Sequence, residues 1–153
     1  MSTPYNHNFP HAASELLYKS INSILLHEWT LQYLHMCKKD GESVNHLFLH
    51  CEVVTKTWNE IFVRVGIAWV MPMHVVDFLT FWQGIGGSRI SAAVWRMIPL
   101  CLFWCLWLER NGRCFEDCEC SMGELREFFH SSLSFWVKNL VRDGNFCNGL
   151  FLF

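Results

Sequence analysis

The sequence predicts an all-α fold of four to five helices in a compact, irregular bundle, and three observations carry this prediction. Apolar residues recur at steps of three and four through most of the 153-residue chain, which is the spacing of amphipathic helices. Helix-start and helix-stop signals flank these apolar stripes. No segment shows the alternating pattern of a half-buried strand. The composition, 52% hydrophobic and 17% charged, is that of a folded core and not of a disordered chain.

The first helix is predicted within residues 13–34, after a polar arm over 1–11. Its apolar positions have helical spacing and are Leu17, Ile21, Ile24 and Leu25. A turn follows at "KKDG", residues 38–41, where the glycine can adopt positive φ. This turn lies within a knuckle-like turn predicted over residues 36–43.

The second helix is predicted to begin at Ser43 as its N-cap and to end at Gly66. Its stripe of apolar residues is Leu47, Cys51, Val54, Trp58, Ile61, Phe62 and Val65. After Pro72, "HVVDFLTFWQ" predicts a shorter helix that ends in the glycine-rich "GIGG".

A long helix is predicted over residues 91–113, with a kink at Pro99, which lacks a backbone donor. "SMGE", residues 121–124, matches the capping box of a last helix that ends at the "DG" of residues 143–144. Its apolar stripe is Leu125, Phe128, Phe129, Leu133, Trp136 and Leu140.

Charge and targeting signals narrow the classes of protein to which the chain can belong. The formal net charge of −2 and the pI near 6.4 give no global support for binding phosphate backbones. No basic, apolar leader opens the sequence, so we expect an intracellular protein whose eight cysteines are reduced. The apolar run over 97–108 is shorter than the roughly 20 residues of a transmembrane helix. We therefore expect it to be a buried helix.

The stretch "MCKKDGESVNHLFLHC", residues 36–51, holds the candidate metal ligands Cys37, His46 and Cys51 in the pattern C-x8-H-x4-C. Thiolates and imidazoles are preferred zinc ligands, and a structural site needs four of them in a tetrahedron. Leu34 occupies the place where a C-x2-C partner of Cys37 belongs. His35 is the preferred fourth ligand, and His50 is the alternative. The competing interpretation is that Cys51 is a buried core residue and the histidines are solvated or capping residues.

Two segments of the chain resemble the reverse-transcriptase zinc-binding domain of plant non-LTR retrotransposons. They are "CKKDGESVNHLFLHC" followed by "TWNEIF", and "WRMIPLCLFWCLWLERNGRCFED". The match runs over about residues 36–142 and is most specific at Glu109, Arg110 and Asn111 with Arg113 and Phe115. It implies zinc-ligand positions at Cys37, His46 and Cys51, and a missing first ligand at Leu34.

The resemblance divides the chain into three regions. Residues 1–35 match the family poorly, residues 36–144 form the zinc-binding-like helical domain, and residues 145–153 are an apolar tail. No acidic polymerase motif and no nuclease carboxylate cluster is present in the sequence. We therefore expect a module that is not an enzyme.

The remaining chemistry-bearing residues have core or pairing interpretations. We expect Cys101 and Cys105 to pack in the core, whereas residues 114–120, with three cysteines, could bind metal or oxidise. Glu109, Arg110 and Arg113 are expected to pair or to cap helix ends. Four tryptophans could stack on nucleic-acid bases, namely Trp82, Trp95, Trp104 and Trp107. At this helical spacing, however, such residues are more often part of the core.

Three hypotheses of function remain. The first is a retrotransposon-derived zinc module that contacts nucleic acid or supports a reverse transcriptase. The second is a metal-free module that docks a protein partner through exposed aromatic residues. The third is peripheral membrane attachment through residues 97–108.

Overall fold

The computed structural model describes residue 36, residues 43–83 and residues 89–142. Five helical segments follow one another in these ranges: a π-helix His46–His50, α1 Glu52–Val65, α2 Val75–Gln83, α3 Arg89–Phe115 and α4 Met122–Arg142. The described part of the chain contains no strand, so the all-α prediction is confirmed there. The predicted helix within 13–34, residues 37–42 of the predicted knuckle-like turn, and the predicted end of the last helix at 143–144 lie outside the described residues.

One continuous helix was predicted from Ser43 to Gly66, and this prediction was wrong, because the structure has a π-helix and α1 separated at Cys51. The π-helix ends at His50. The next residue, Cys51, has a φ of −57° and a ψ of 136°, which lie outside the helical region, and it is the N-cap of α1. Cys51 can start a new helix because its carbonyl oxygen accepts the Thr55 amide at 2.8 Å. The predicted stop is confirmed, since Gly66 adopts the left-handed conformation with φ of 69°.

α3 runs from Arg89 to Phe115 and passes through Pro99, so it is longer at both ends than the predicted 91–113. The kink at Pro99 stays a prediction. The helix ends in a tight turn in which the Cys118 amide donates to the Gly112 carbonyl at 3.1 Å. Asp117 adopts φ of 52° within this turn, the left-handed position at which glycine is most common.

The predicted capping box of the last helix is confirmed. The Ser121 hydroxyl accepts the Glu124 amide at 3.3 Å, and the Glu124 carboxylate accepts the Ser121 amide at 2.8 Å. These two bonds satisfy amide groups that have no partner within α4. The Ser121 amide, followed by the Ser121 side chain, lowers the pKa of the Glu124 carboxyl, because hydrogen bonds to the carboxylate favour its charged form.

One aromatic core joins the helices. Trp58 of α1 is fully buried, lies against Phe78 and Phe103, and donates its indole N–H to the Phe48 carbonyl at 2.9 Å. A buried aromatic side chain covers roughly 150–250 Å², which at about 25 cal/mol per Å² corresponds to an upper value of roughly 4–6 kcal/mol. The core therefore fixes the π-helix, α1, α2 and α3 around a single indole.

α2 is attached to α3 by a pair of tryptophans. The Trp82 and Trp95 rings are nearly parallel, at 3°, with centroids 4.2 Å apart. Each indole N–H donates to the other residue's carbonyl, at 2.9 and 3.3 Å. Both tryptophans are thus held on their faces and at their polar edges, which fixes the end of α2 against α3.

Candidate metal centre

Two of the four predicted metal ligands, His46 and Cys51, lie among the described residues. The other two, Cys37 and His35, lie outside them. His46 begins the π-helix and is half-buried, whereas Cys51 follows the π-helix and has no exposed surface. The structure therefore gives the geometry of the H-x4-C half of the candidate site.

The π-helical turn changes how His46 and Cys51 are related. Positions five apart in an α-helix diverge by about 140° around the axis. Here the Cys51 amide donates to the His46 carbonyl at 2.7 Å, an i to i+5 bond that separates the two residues by about one turn. The turn begins at Ser43, whose hydroxyl accepts the His46 amide at 3.1 Å, so the predicted capping role of Ser43 is confirmed.

His50, the alternative fourth ligand, faces the start of α2. Its Nε2 lies 3.1 Å from the carbonyl oxygen of Met73 and donates to it. Only Nδ1 of His50 is then free to bind a metal through that ring. A backbone acceptor of this kind is a common outer-shell partner of metal-binding histidines.

Asn45 ties the π-helix to α2, and sequence reasoning missed this contact. Its Oδ1 accepts the Val75 amide at 3.0 Å, which caps the first turn of α2 from 30 positions away. Because this bond orients the amide, Nδ2 is the donor to Nδ1 of His74 at 3.2 Å. No local signal marks such a cap, since the residue that provides it belongs to another helix.

Met36, the residue before Cys37, is held against the end of α3. Met36 is 4% exposed, and its carbonyl oxygen accepts Nη1 of Arg113 at 3.0 Å. Arg113 also binds the carboxylate of Glu109, which is fully buried. The expectation that Glu109 and Arg113 pair is confirmed, whereas the contact with Met36 was not predicted.

Arg110 also has a pairing role. Its guanidinium lies 5.6 Å from the centre of the Trp107 ring and donates to the Asn111 side chain at 3.2 Å. The charged residues of the "ERN" segment thus bind neighbours within the protein.

The chemistry of the described donors suits zinc, but the described set is incomplete. Cys51 offers a thiol and His46 an imidazole, the two ligand types that zinc prefers. Within residues 36, 43–83 and 89–142, no group of three or more His, Cys, Asp or Glu side chains is arranged to hold a metal ion. The predicted set takes its other two ligands, Cys37 and His35, from outside these ranges.

The second cysteine cluster divides into a buried and a half-buried part. Cys101 and Cys105 are fully buried on α3, as expected, and burial followed by the hydrogen bond with Cys105 raises the pKa of the Cys101 thiol well above its usual range. A protonated, enclosed thiol is a poor nucleophile and metal ligand. Cys114, Cys118 and Cys120 are half-buried cysteines around the turn between α3 and α4.

The tryptophans named as candidates for base stacking are mainly core residues. Trp82 is 1% exposed, while Trp95 and Trp104 are half-buried and pack against the core. The strongly exposed aromatic side chains of the described residues are instead Phe81, at 62%, and Phe115, at 79%. The core interpretation of the tryptophan spacing is confirmed for Trp82.

The apolar run over 97–108 faces inward, as expected. Its fully buried members are Cys101, Leu102, Cys105 and Leu106, and Phe103 is 1% exposed. Among the described residues, no helix is both long enough and apolar enough to cross a membrane.

Comparisons with protein-family models, with curated proteins and with solved structures found no match for this chain.

Proposed function

We propose that the chain is a non-catalytic, retrotransposon-derived helical module similar to the reverse-transcriptase zinc-binding domain. In this proposal zinc joins the segment at Cys37 to the helix start at Cys51, and the module supports a reverse transcriptase or contacts nucleic acid. The observation that supports it is the π-helical turn, in which the i to i+5 bond of 2.7 Å relates His46 to Cys51. Through this bond, the two residues of the H-x4-C pattern are separated by about one turn of the backbone.

The buried thiol of Cys51 is the second support. Cys51 has no exposed surface and takes a non-helical backbone conformation at the start of α1. A thiol that only filled core space would be served equally well by continuing the helix through this residue. The non-helical backbone at Cys51 sets this residue apart from the regular helix positions on either side, and we take this as support for a ligand role at the start of α1.

Zinc stoichiometry tests this proposal. Protein purified without added metal is expected to carry about one zinc per chain, and Cys37→Ser is expected to lose it. Cys118→Ser is the matched control, because it makes the same chemical change in the turn between α3 and α4. Absence of zinc from the wild type, or retention of zinc by Cys37→Ser, would contradict the proposal.

The fourth ligand and the nucleic-acid role have separate tests. Loss of zinc in His35→Gln but not in His50→Gln would identify His35, and the reverse would identify His50. Affinity of the zinc-loaded protein for a labelled RNA should fall steeply with added salt if phosphates are bound. If no RNA binding is measured, the proposed role is only the structural support of a reverse transcriptase.

The second candidate function is a metal-free protein-interaction module. Exposed apolar side chains of the described residues favour it, namely Val70 at 89%, Met73 at 73%, Phe81 at 62% and Phe115 at 79%. Side chains of this type anchor protein partners when they cluster. Concentration-dependent association that persists with a chelator and is reduced in Phe81→Ser would support this candidate over the zinc module.

A further inference from the structure

One side of α4 carries a row of basic and polar side chains. Arg126, His130, Ser134 and Lys138 follow one another at steps of four, and residues four apart are neighbours on the surface of a helix. Arg126 is half-buried, and the other three residues are exposed. The row extends for roughly 18 Å along the helix axis, and none of its four members is acidic.

α1 adds a further cation beside this row. Glu60 of α1 and Arg126 of α4 form an ion pair at 3.3 Å, and Arg64 is exposed one turn beyond Glu60. Burial lowers the pKa of His130 most, and the charges of Arg64 and Arg126 lower it further against the opposing carboxylate of Glu60. His130 therefore lies close enough to both guanidinium groups to interact with their charges. We call the resulting set the basic surface: Arg64, Arg126, His130, Ser134 and Lys138.

The carboxylates near the basic surface do not balance its charge. Glu60 pairs with Arg126, and Glu127 is the residue that follows Arg126 on α4. Within residues 36, 43–83 and 89–142, neither Arg64 nor Lys138 forms an ion pair. Two exposed cations of the basic surface are therefore available to an anion from outside the protein.

We propose that the basic surface binds the phosphate backbone of a single nucleic-acid strand. Arginine, lysine and serine side chains are common donors to phosphate oxygens, and such contacts do not depend on the base sequence. A row with one side chain per helical turn fits a linear polyanion better than it fits one isolated anion. The inference deepens the nucleic-acid contact of the proposed function and rests on it, but it requires no metal.

A membrane is the other polyanionic surface that a basic helix can contact. Helices that lie on a bilayer bury an apolar face at the boundary of headgroups and acyl chains. α4 instead packs Phe128, Phe129 and Trp136 into the protein core, where each is at most 7% exposed. The basic surface therefore fits a phosphate backbone better than it fits a bilayer.

The test measures the affinity for a labelled oligouridine RNA, by fluorescence anisotropy, at a series of salt concentrations. Each phosphate contact of a single strand contributes about 0.7 to the steepness of log K against log salt. We expect Arg64→Gln and Lys138→Gln each to reduce this steepness by about 0.7, and together by about 1.4. Lys56→Gln is the matched control, because it changes the net charge equally at a lysine that already pairs with Glu52 at 3.0 Å. Its salt dependence should equal that of the wild type.

Three outcomes would contradict the inference, and they differ in what else they refute. Both substituted positions are exposed, so circular dichroism should show that the double variant of Arg64 and Lys138 is folded. A double variant with the salt dependence of the wild type would show that the RNA binds elsewhere. Binding to vesicles of phosphatidylserine and phosphatidylcholine, without binding to the RNA, would make the surface a membrane contact. A wild type that binds neither would refute the nucleic-acid contact of the proposed function itself, whereas its zinc site would still be tested by the zinc stoichiometry.

Discussion

Glu109 is a carboxylate with no exposed surface, and its burial depends on the charge of Arg113. Glu109→Gln preserves the shape but leaves a nearly buried guanidinium without its main counter-ion. Breaking a buried pair in this way costs about 3–5 kcal/mol, so we expect urea denaturation to show a loss of about 3 kcal/mol in the free energy of unfolding. Glu119 binds the same guanidinium but is 52% exposed, so Glu119→Gln should cost less than about 1 kcal/mol. Equal losses in the two variants would contradict this assignment.

Asp117 and Gly66 both have positive φ, at 52° and 69°, but only one is a glycine. Side chains are disfavoured in this conformation, although aspartate tolerates it better than most. We expect Asp117→Gly to raise the free energy of unfolding by about 0.5–1 kcal/mol. Gly66→Ala should lower it by about 1 kcal/mol. Thermal denaturation of both variants checks the opposite signs, and a destabilised Asp117→Gly protein would show that the aspartate side chain stabilises the turn.

At the scale of elements, the sequence signals that succeeded act over three or four residues. The capping box of Ser121 and Glu124 and the glycine stop at Gly66 need only a local backbone, so the pattern alone predicts them. The break at Cys51 could not be predicted in this way. Cys51 stays in line with the apolar residues on either side of it whether the helix is continuous or not, so the spacing does not reveal the π-helical turn.

The same distinction between local signals and long-range contacts applies to the candidate site. Its candidate ligands His46 and Cys51 could be named from the sequence because their residue types and spacing are local features. The contact between Arg113 and the Met36 carbonyl joins residues 77 positions apart and leaves no periodic trace in the sequence. The cap that Asn45 provides for α2 was missed for the same reason.

The contact of α1 with α4 contains a group that titrates. Glu60 and Arg126 form an ion pair at 3.3 Å, and His130 lies one turn further along α4. Burial lowers the pKa of His130, and the guanidinium groups of Arg64 and Arg126 lower it further, while Glu60 opposes them. The folded form thus binds this proton less readily than the unfolded chain, whose histidine pKa is about 6.5.

The sign of the pH dependence follows from this difference. As the pH falls below about 6.5, the unfolded chain takes up the proton first, so the free energy of unfolding decreases. We expect wild-type stability to fall between about pH 7.5 and pH 5.5, and His130→Gln to show a smaller fall. Arg126→Gln should also reduce the fall, because it removes one of the cations. Urea denaturation at several pH values checks this, and equal pH profiles for wild type and His130→Gln would contradict it.

For the whole molecule, Phe103 tests whether the described helices share one core. This α3 side chain is 1% exposed and lies 4.6 Å from Phe48 and 6.1 Å from both Trp58 and Phe78, between ring centres. It therefore contacts the π-helix, α1 and α2 at once. Phe103→Ala should cost about 3–5 kcal/mol through lost burial and a residual cavity.

Because the helices share these rings, the loss should reach all of them together. Tryptophan fluorescence, which reports the core, and far-UV circular dichroism, which reports the helices, should give coincident urea transitions in wild type and variant. Phe115→Ala is the control, since that ring is 79% exposed and its removal should change stability by less than about 0.5 kcal/mol. Transitions that separate in the Phe103→Ala variant would contradict a single shared core, because part of the helical structure would then unfold independently of the aromatic rings.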